Sequence, residues 1–374
     1  MYKRLEKYLK DRLNDLVFIE LKKDAKLAND KFKDLRDIYI PIKVDELGSK
    51  IKDGSASNEM NVAGMARGMI YLIGLDAQFK YAENYKRFLY QFDQKIEQYI
   101  AYEALKKAEE EKYEEAMIYF RALSILNEDD INGLFNYARC CQDLSEKVED
   151  KNYKKDLKNE CIEALEIITE KYPDFAMAYY HLGFRYANAQ LFKKAQLTWE
   201  KCLTLDIDDE KRKEIILQIE GLKHQIQYEE GYTLILNNKP NVGLEKLLPL
   251  VDLYSEWWNL LFFVGLAYRQ MENPKEAIHY FERIYRLKPT QVDNLNELGL
   301  CYGTSGDYEN AEKYFKKALQ FKEDGEILCN LAMVYMENNK LDLATDVLQK
   351  AKEMNPEDLI MNQCIKQLNE MKKQ

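Results

Sequence analysis

The chain has 374 residues, 46% of them apolar, with 15 Gly and 7 Pro: enough to bury a large core, and too little turn chemistry for a protein of many short strands. Its formal charge is −10, and because the first 37 residues carry 11 Lys or Arg against 8 Asp or Glu, the remainder stands at −13, which argues against nucleic acid as a partner. Seven cysteines, an odd number with no C-x-x-C pair, read as reduced buried thiols, not as a disulfide framework.

The amino terminus, "MYKRLEKYLKDRL", is charged throughout and lacks the apolar stretch of a secretory signal. Leu5, Leu9, Leu13, Leu16 and Val17 fall at helical spacing, which predicts a long amphipathic helix to about Asp37, stopped by Pro41. "VDELGSKIKDGSASNEM" reads as a short helix and a turn, with Ser57 or Asn58 capping the helix "EMNVAGMARGMIYLIGL". Its Ala63, Gly64, Gly68 and Gly74 suit close helix packing; a phosphate loop would need a preceding strand and a following Gly-Lys-Ser/Thr. A further helix from Ala77, with Phe79, Tyr85, Phe88, Leu89, Phe92 and Ile96, completes a small N-terminal helical domain over residues 1–96.

A period then emerges. Small residues at Ala104, Ala138, Gly183, Gly231, Gly265, Gly299 and Ala332 are separated by 34, 45, 48, 34, 34 and 33 residues, so the two long steps are one period plus an insertion. Their surroundings agree, as in "YYHLGFRY", "LFFVGLAY" and "LNELGLCY". Twelve residues on comes a second small residue, and four later a large one: Ala195 with Trp199, Ala277 with Phe281, Ala311 with Phe315, Ala344 with Leu348. Pro173, Pro289 and Pro356 close several units. The charged insertion at 145–159 reads as a solvated loop or helix extension, and the one at 208–222 as an element that lengthens or precedes a first helix. The array ends near Pro356, and residues 359–374 are expected to form a capping helix with Ile360, Cys364, Ile365, Leu368 and Met371 on its inner side.

This pattern resembles the tetratricopeptide repeat family. The resemblance implies an all-α, right-handed solenoid of about seven helix-turn-helix units over residues 97–358, with Leu182, Tyr186, Tyr268 and Tyr302 as packing residues. It also implies a concave face that binds a peptide or protein segment, lined by residues three before and one after each small position. Those are Phe135 and Arg139, Tyr180 and Phe184, Tyr228 and Tyr232, Phe262 and Leu266 with Phe263 beside them, Asn296 and Leu300, then Cys329 and Met333. The Lys, Asn and Arg set with which some family members grip a terminal carboxylate is missing, since Arg139 stands alone.

Catalytic chemistry finds no foothold. His181, His224 and His279 lie in three different repeats, with no H-E-x-x-H pair, no G-x-S-x-G elbow and no G-x-G-x-x-G fingerprint, so neither a metal nor a cofactor is expected. The longest apolar stretch, "WWNLLFFVGLAY", is shorter than the about 20 residues that span a bilayer. The expectation is a non-catalytic cytoplasmic scaffold. An N-terminal bundle followed by such repeats also resembles, in architecture only, the peptide-regulated response-regulator phosphatases of sporulating bacteria.

Overall fold

The computed structural model describes residues 2–20, 35, 38–46 and 62–373. The chain divides into two compact bodies, residues 1–218 and 219–374, and the division falls inside the second insertion.

The first body does not begin with one long helix. Helix α1 (Lys3–Leu9) tightens into a 3-10 segment (Lys10–Asp15) and then extends into strand β1 (Leu16–Ile19). That strand pairs antiparallel with β2 (Ile40–Lys43), Leu16 opposite Lys43 and Ile19 opposite Ile40. Leu5 and Leu9 are buried as the helical spacing requires, but after Leu16 the β-branched and aromatic run Val17, Phe18 and Ile19 favours the extended backbone. Pro41 therefore sits inside a strand and stops no helix. Residues 44–46 form a helical turn; the rest of the expected short helix and turn, and the cap expected at Ser57 or Asn58, lie outside the described residues.

Helix α2 (Val62–Leu75) is buried on nearly every side, packed on β2 and on a helix of the first repeat. A Cβ at Gly68 would collide with the Pro41 carbonyl, so glycine there sets the helix-to-strand distance. Helix α3 (Ala82–Phe92) starts five residues later than expected, behind a turn in which Ala82 N bonds Phe79 O.

The repeats follow as helix pairs. The first body holds α4 (Ile96–Glu109) with α5 (Tyr113–Leu126), α6 (Ile131–Lys147) with α7 (Lys151–Lys171), and α8 (Ala176–Asn188) with α9 (Phe192–Leu203). The second insertion is a helix of its own, α10 (Asp209–Gly221), of which Ile215 alone is fully buried. The second body holds α11 (Lys223–Leu236) with α12 (Pro240–Leu253), α13 (Trp258–Gln270) with α14 (Pro274–Leu287), α15 (Val292–Thr304) with α16 (Tyr308–Phe321), and α17 (Gly325–Glu337) with α18 (Leu341–Met354). It closes with α19 (Leu359–Met371), which packs on α17 and α18 through Met361, Cys364 and Leu368. Ile360, expected inward, is exposed, and Met361 takes its place.

Two periodic features explain the array. Seven residues after the small position, Glu111, Gln190, Asn238, Glu272, Gly306 and Asn339 each adopt a left-handed backbone that ends the first helix. The next N–H then reaches back five residues, Leu191 to Tyr186, Asn273 to Tyr268, Asp307 to Tyr302 and Lys340 to Tyr335, closing each helix in the same way. In the second repeat the equivalent Ser145 is still helical, so the first insertion is a pair of lengthened helices, not a loop. The small residues themselves face the large residue of the second helix: Gly265 meets Phe281, and Gly299 meets Phe315. Both rings are fully buried, and each such burial contributes about 1.5–3 kcal/mol against the about 1 kcal/mol that glycine costs a helix.

The lengthened α7 also carries a docking role that local sequence does not suggest. Its Glu160, fully buried, accepts from the Tyr2 backbone N–H at 2.7 Å, from Arg4 Nη1 at 3.1 Å and from the Tyr137 hydroxyl at 3.0 Å. Lys7 and the Tyr8 hydroxyl both lie 2.9 Å from Asp156. The fully buried Arg121 of α5 bonds Glu6 at 3.1 Å, so α1 is tied to two repeats by charges that leave few unpaired groups.

Candidate functional site

In the second body the first helices of successive repeats, α11, α13, α15 and α17, touch one another in sequence, whereas the second helices barely meet. The first helices therefore form the inner row, and the residues they turn away from the second helices line its face.

At the start of that row, aromatic rings run from helix to helix. Tyr232 stacks on Phe263 with centroids 5.1 Å apart, and Tyr228 lies 5.2 Å from Tyr232 and 6.1 Å from Phe263. Trp257, one residue before α13, lies over Tyr228 at 4.4 Å. Tyr228, Trp257, Phe263 and Leu266 pack on the core from outside and remain partly exposed, as does Tyr232. Burial raises the hydroxyl pKa of Tyr228 and, more weakly, of Tyr232, so both are neutral donors at any physiological pH. Phe262, also partly exposed, lies 5.8 Å from the buried Phe281 and 5.9 Å from Phe263.

At the end of the row there is a cavity of about 350 Å³ whose walls include Leu300, Gly303, Tyr308, Asn330 and Met333. Met333 is 47% exposed at its rim. Asn330 Nδ2 donates to Asn296 Oδ1 at 3.1 Å across adjacent repeats, leaving Asn296 Nδ2 and Asn330 Oδ1 for other partners. Between the two ends, Arg269 Nε lies 2.5 Å from Glu297 Oε2, and burial outweighs the arginine in raising the Glu297 pKa.

The residues expected from sequence separate by register. Those one after the small position, Phe184, Tyr232, Leu266, Leu300 and Met333, are partly or well exposed, and Arg139 is exposed. Those three before it divide: Tyr180, Tyr228, Phe262 and Asn296 are partly exposed, whereas Phe135 is 8% exposed, packed edge-on against Phe175 at 5.2 Å, and Cys329 is buried. Phe135 is therefore core and lines no groove. The inner face instead uses the residue two before the small position, Phe263 and Asn330, because positions −2, +1 and +5 share one side of a helix turning about 100° per residue. In the first body, Tyr180 is taken up by α10, its hydroxyl 2.5 Å from Glu214, and Phe184 packs on Trp199 at 4.9 Å. Trp257 escaped the sequence reading, yet it holds the position, eight before the small residue, that Phe175 holds in its own repeat.

A profile described as Tetratricopeptide repeat matches residues 292–324, and a second of the same description matches 259–291 and 325–358. Residues 259–358 are thus three consecutive tetratricopeptide repeats. Among curated proteins, it is similar to Photosystem I assembly protein Ycf3 of Prochlorococcus marinus strain NATL1A, 29% identical over 103 residues, 26% of this chain and 59% of that protein. Strain MIT 9301 gives 39% over 62 residues, 16% of this chain and 36% of that protein. It is also similar to UDP-N-acetylglucosamine–peptide N-acetylglucosaminyltransferase of Giardia intestinalis, 22% identical over 160 residues, 42% of this chain and 10% of that protein. The chain thus spans less than two thirds of each of these relatives. Among solved structures it is similar to PilW, a type IV pilus biogenesis factor, at 14% identity and TM-score 0.42, covering 61% of this chain and 98% of that one. MamA gives 23% identity and TM-score 0.30, covering 46% and 94%. No helix among the described residues is long and apolar enough to cross a membrane.

Proposed function

We propose that this tetratricopeptide repeat protein is a non-catalytic cytoplasmic adaptor that holds a peptide or protein segment on the inner row of its second body. Apolar side chains of the segment pack against Tyr232 and Phe263 and enter the cavity beside Leu300 and Met333, while Asn296 and Asn330 bond its main chain. One observation carries this reading: the repeat core is complete without these side chains, with Leu261, Val264, Phe281, Leu298 and Phe315 all fully buried, and the aromatic surplus still lies on one face. All seven cysteines are free and buried, and burial pushes the Cys140 and Cys161 thiols up to about 12, which suits a reducing compartment.

The test selects binders from a displayed random-peptide library on the full chain and measures their affinity by calorimetry. Tyr232→Ser with Met333→Ser should weaken binding by about 2 kcal/mol or more, roughly 30-fold, with an unchanged helical melting curve. Selected peptides that bind the folded double variant as tightly as the parent would remove the inner row from the account.

A further inference from the structure

The first body carries a second feature that the aromatic row does not explain. Helix α7 is divided by charge. One side presents Asp156, Glu160 and Glu163, and α1 answers it with Arg4 and Lys7. The other side presents Lys151, Lys154, Lys155 and Lys158, and no helix among the described residues answers it in kind: there, Lys151, Lys154 and Lys155 make no ion pair, and Lys158 reaches only Glu146, at 3.7 Å.

These lysines are poorly placed for stability. They occupy the first two turns of a 21-residue helix, where the backbone dipole favours acids, and the first turn holds no acid at all. Their spacings of three and four residues set like charges side by side, which destabilises a helix. Glutamate at the same positions would be favoured by the dipole.

The same lysines wall a cavity of about 310 Å³ between α6, α7 and the end of α8, together with Arg185. The Arg185 Nε is buried and has no hydrogen-bond acceptor. Five cations thus converge on a space whose lining holds no acid; around it, Glu146 accepts from Gln142 Nε2 at 2.9 Å, Asp150 caps α7 by accepting from the Tyr153 N–H at 2.7 Å, and burial raises the Asp143 carboxyl against the pull of Arg139 and Arg185. Gln142, Asn159 and Asn188 add side-chain amides that can bond a peptide main chain, and Ile162 and Ala189 give an apolar floor. No aromatic side chain lines the cavity, so it offers no platform on which nucleic-acid bases could stack.

We propose that this cavity is a docking site for an acidic peptide segment of a partner protein, whose Asp and Glu carboxylates pair with Lys151, Lys154, Lys155, Lys158 and Arg185. It lies in the first body and depends on none of the residues of the aromatic row.

Fluorescence anisotropy of the full chain with a fluorescein-labelled oligoglutamate of about eight residues tests it. Binding should be seen at about 50 mM salt, weaken about tenfold near 300 mM, and be absent for the oligoglutamine counterpart. Lys151→Glu with Lys154→Glu and Lys155→Glu should weaken it about tenfold or more and raise the melting temperature, and the single Lys155→Gln should weaken it measurably in a chain whose fold is not at risk. Tyr232→Ser with Met333→Ser should leave it unchanged, which separates failure here from failure of the inner-row reading. No binding by the parent, or equal binding by the lysine variants, would overturn the proposal. A single-stranded oligonucleotide of equal charge that binds as tightly as the peptide would overturn the choice of partner.

Discussion

Gly299→Leu puts the repeat's packing logic to a quantitative test. An ideal Cβ at Gly299 would lie 2.6 Å from Phe315 Cε1, 2.7 Å from Cζ and 2.8 Å from Cδ1, where ordinary carbon contacts are about 3.5–4.0 Å. The ring is fully buried and cannot retreat into solvent, so even alanine must push it by about 1 Å. Alanine recovers at most about 1 kcal/mol of helix propensity and incurs about 1–3 kcal/mol of overpacking, for a net loss of about 0–2 kcal/mol. Leucine places three further carbons in the same space and should lose more, about 2–3 kcal/mol or above. Urea titration of the full chain by circular dichroism should show a lower midpoint in the order parent, Gly299→Ala, Gly299→Leu. Adding Phe315→Leu should cost less in the Gly299→Ala background than in the parent, with a coupling of about 1 kcal/mol or more. A Gly299→Leu midpoint at or above that of the parent would mean that this position does not face Phe315 and that the repeat register is wrong.

His181 should give the fold an acid sensitivity. Burial, reinforced by Arg139, Arg185 and Lys211, holds its imidazole down at about 4 from an ordinary 6.5. The unfolded chain therefore takes up a proton between pH 6.5 and 4 that the folded chain refuses, so the stability due to neutral His181 is present above 6.5 and is lost as pH falls through that window. Melting temperatures from pH 7 to 5 should fall less steeply for His181→Gln, and identical slopes would refute the assignment. The left-handed turn position should respond to backbone freedom alone: Gly306→Ala should lower stability by about 1 kcal/mol and Glu272→Gly should raise it by up to about 1 kcal/mol, since their φ angles are +77° and +56°. Opposite signs in thermal melts would show that side-chain contacts govern these turns.

The repeats were legible because their determinants are local and recur: small residue, tyrosine and large residue fall at fixed offsets, and first helices begin at Trp258, Val292 and Gly325, each seven residues before its small residue. The N-terminal segment was less so. Leu5 and Leu9 are indeed a buried helical pair, but the same spacing carried on to Leu16 and masked an extended run whose partner, Ile40–Lys43, lies more than twenty residues away. The docking of α1 on α7 rests on pairs such as Arg4 with Glu160, 156 residues apart, and no local pattern announces a contact of that range. Of the residues expected to line a groove, Tyr232, Phe263 and Met333 are partly or well exposed, whereas Phe135 is buried. A helix face is set by where the neighbouring helices lie, and a register error of one residue, about 100°, moves a side chain from groove to core.

If the inner row of the second body holds the partner segment, site-specific photocrosslinking will report the contact residue by residue. A benzophenone amino acid placed singly at Tyr232, Leu300 or Met333 should capture a library-selected peptide on irradiation. The same group at Leu253 or His279, exposed on second helices of the same body, should not. Capture at Leu253 or His279 with none at the three inner positions would contradict the account.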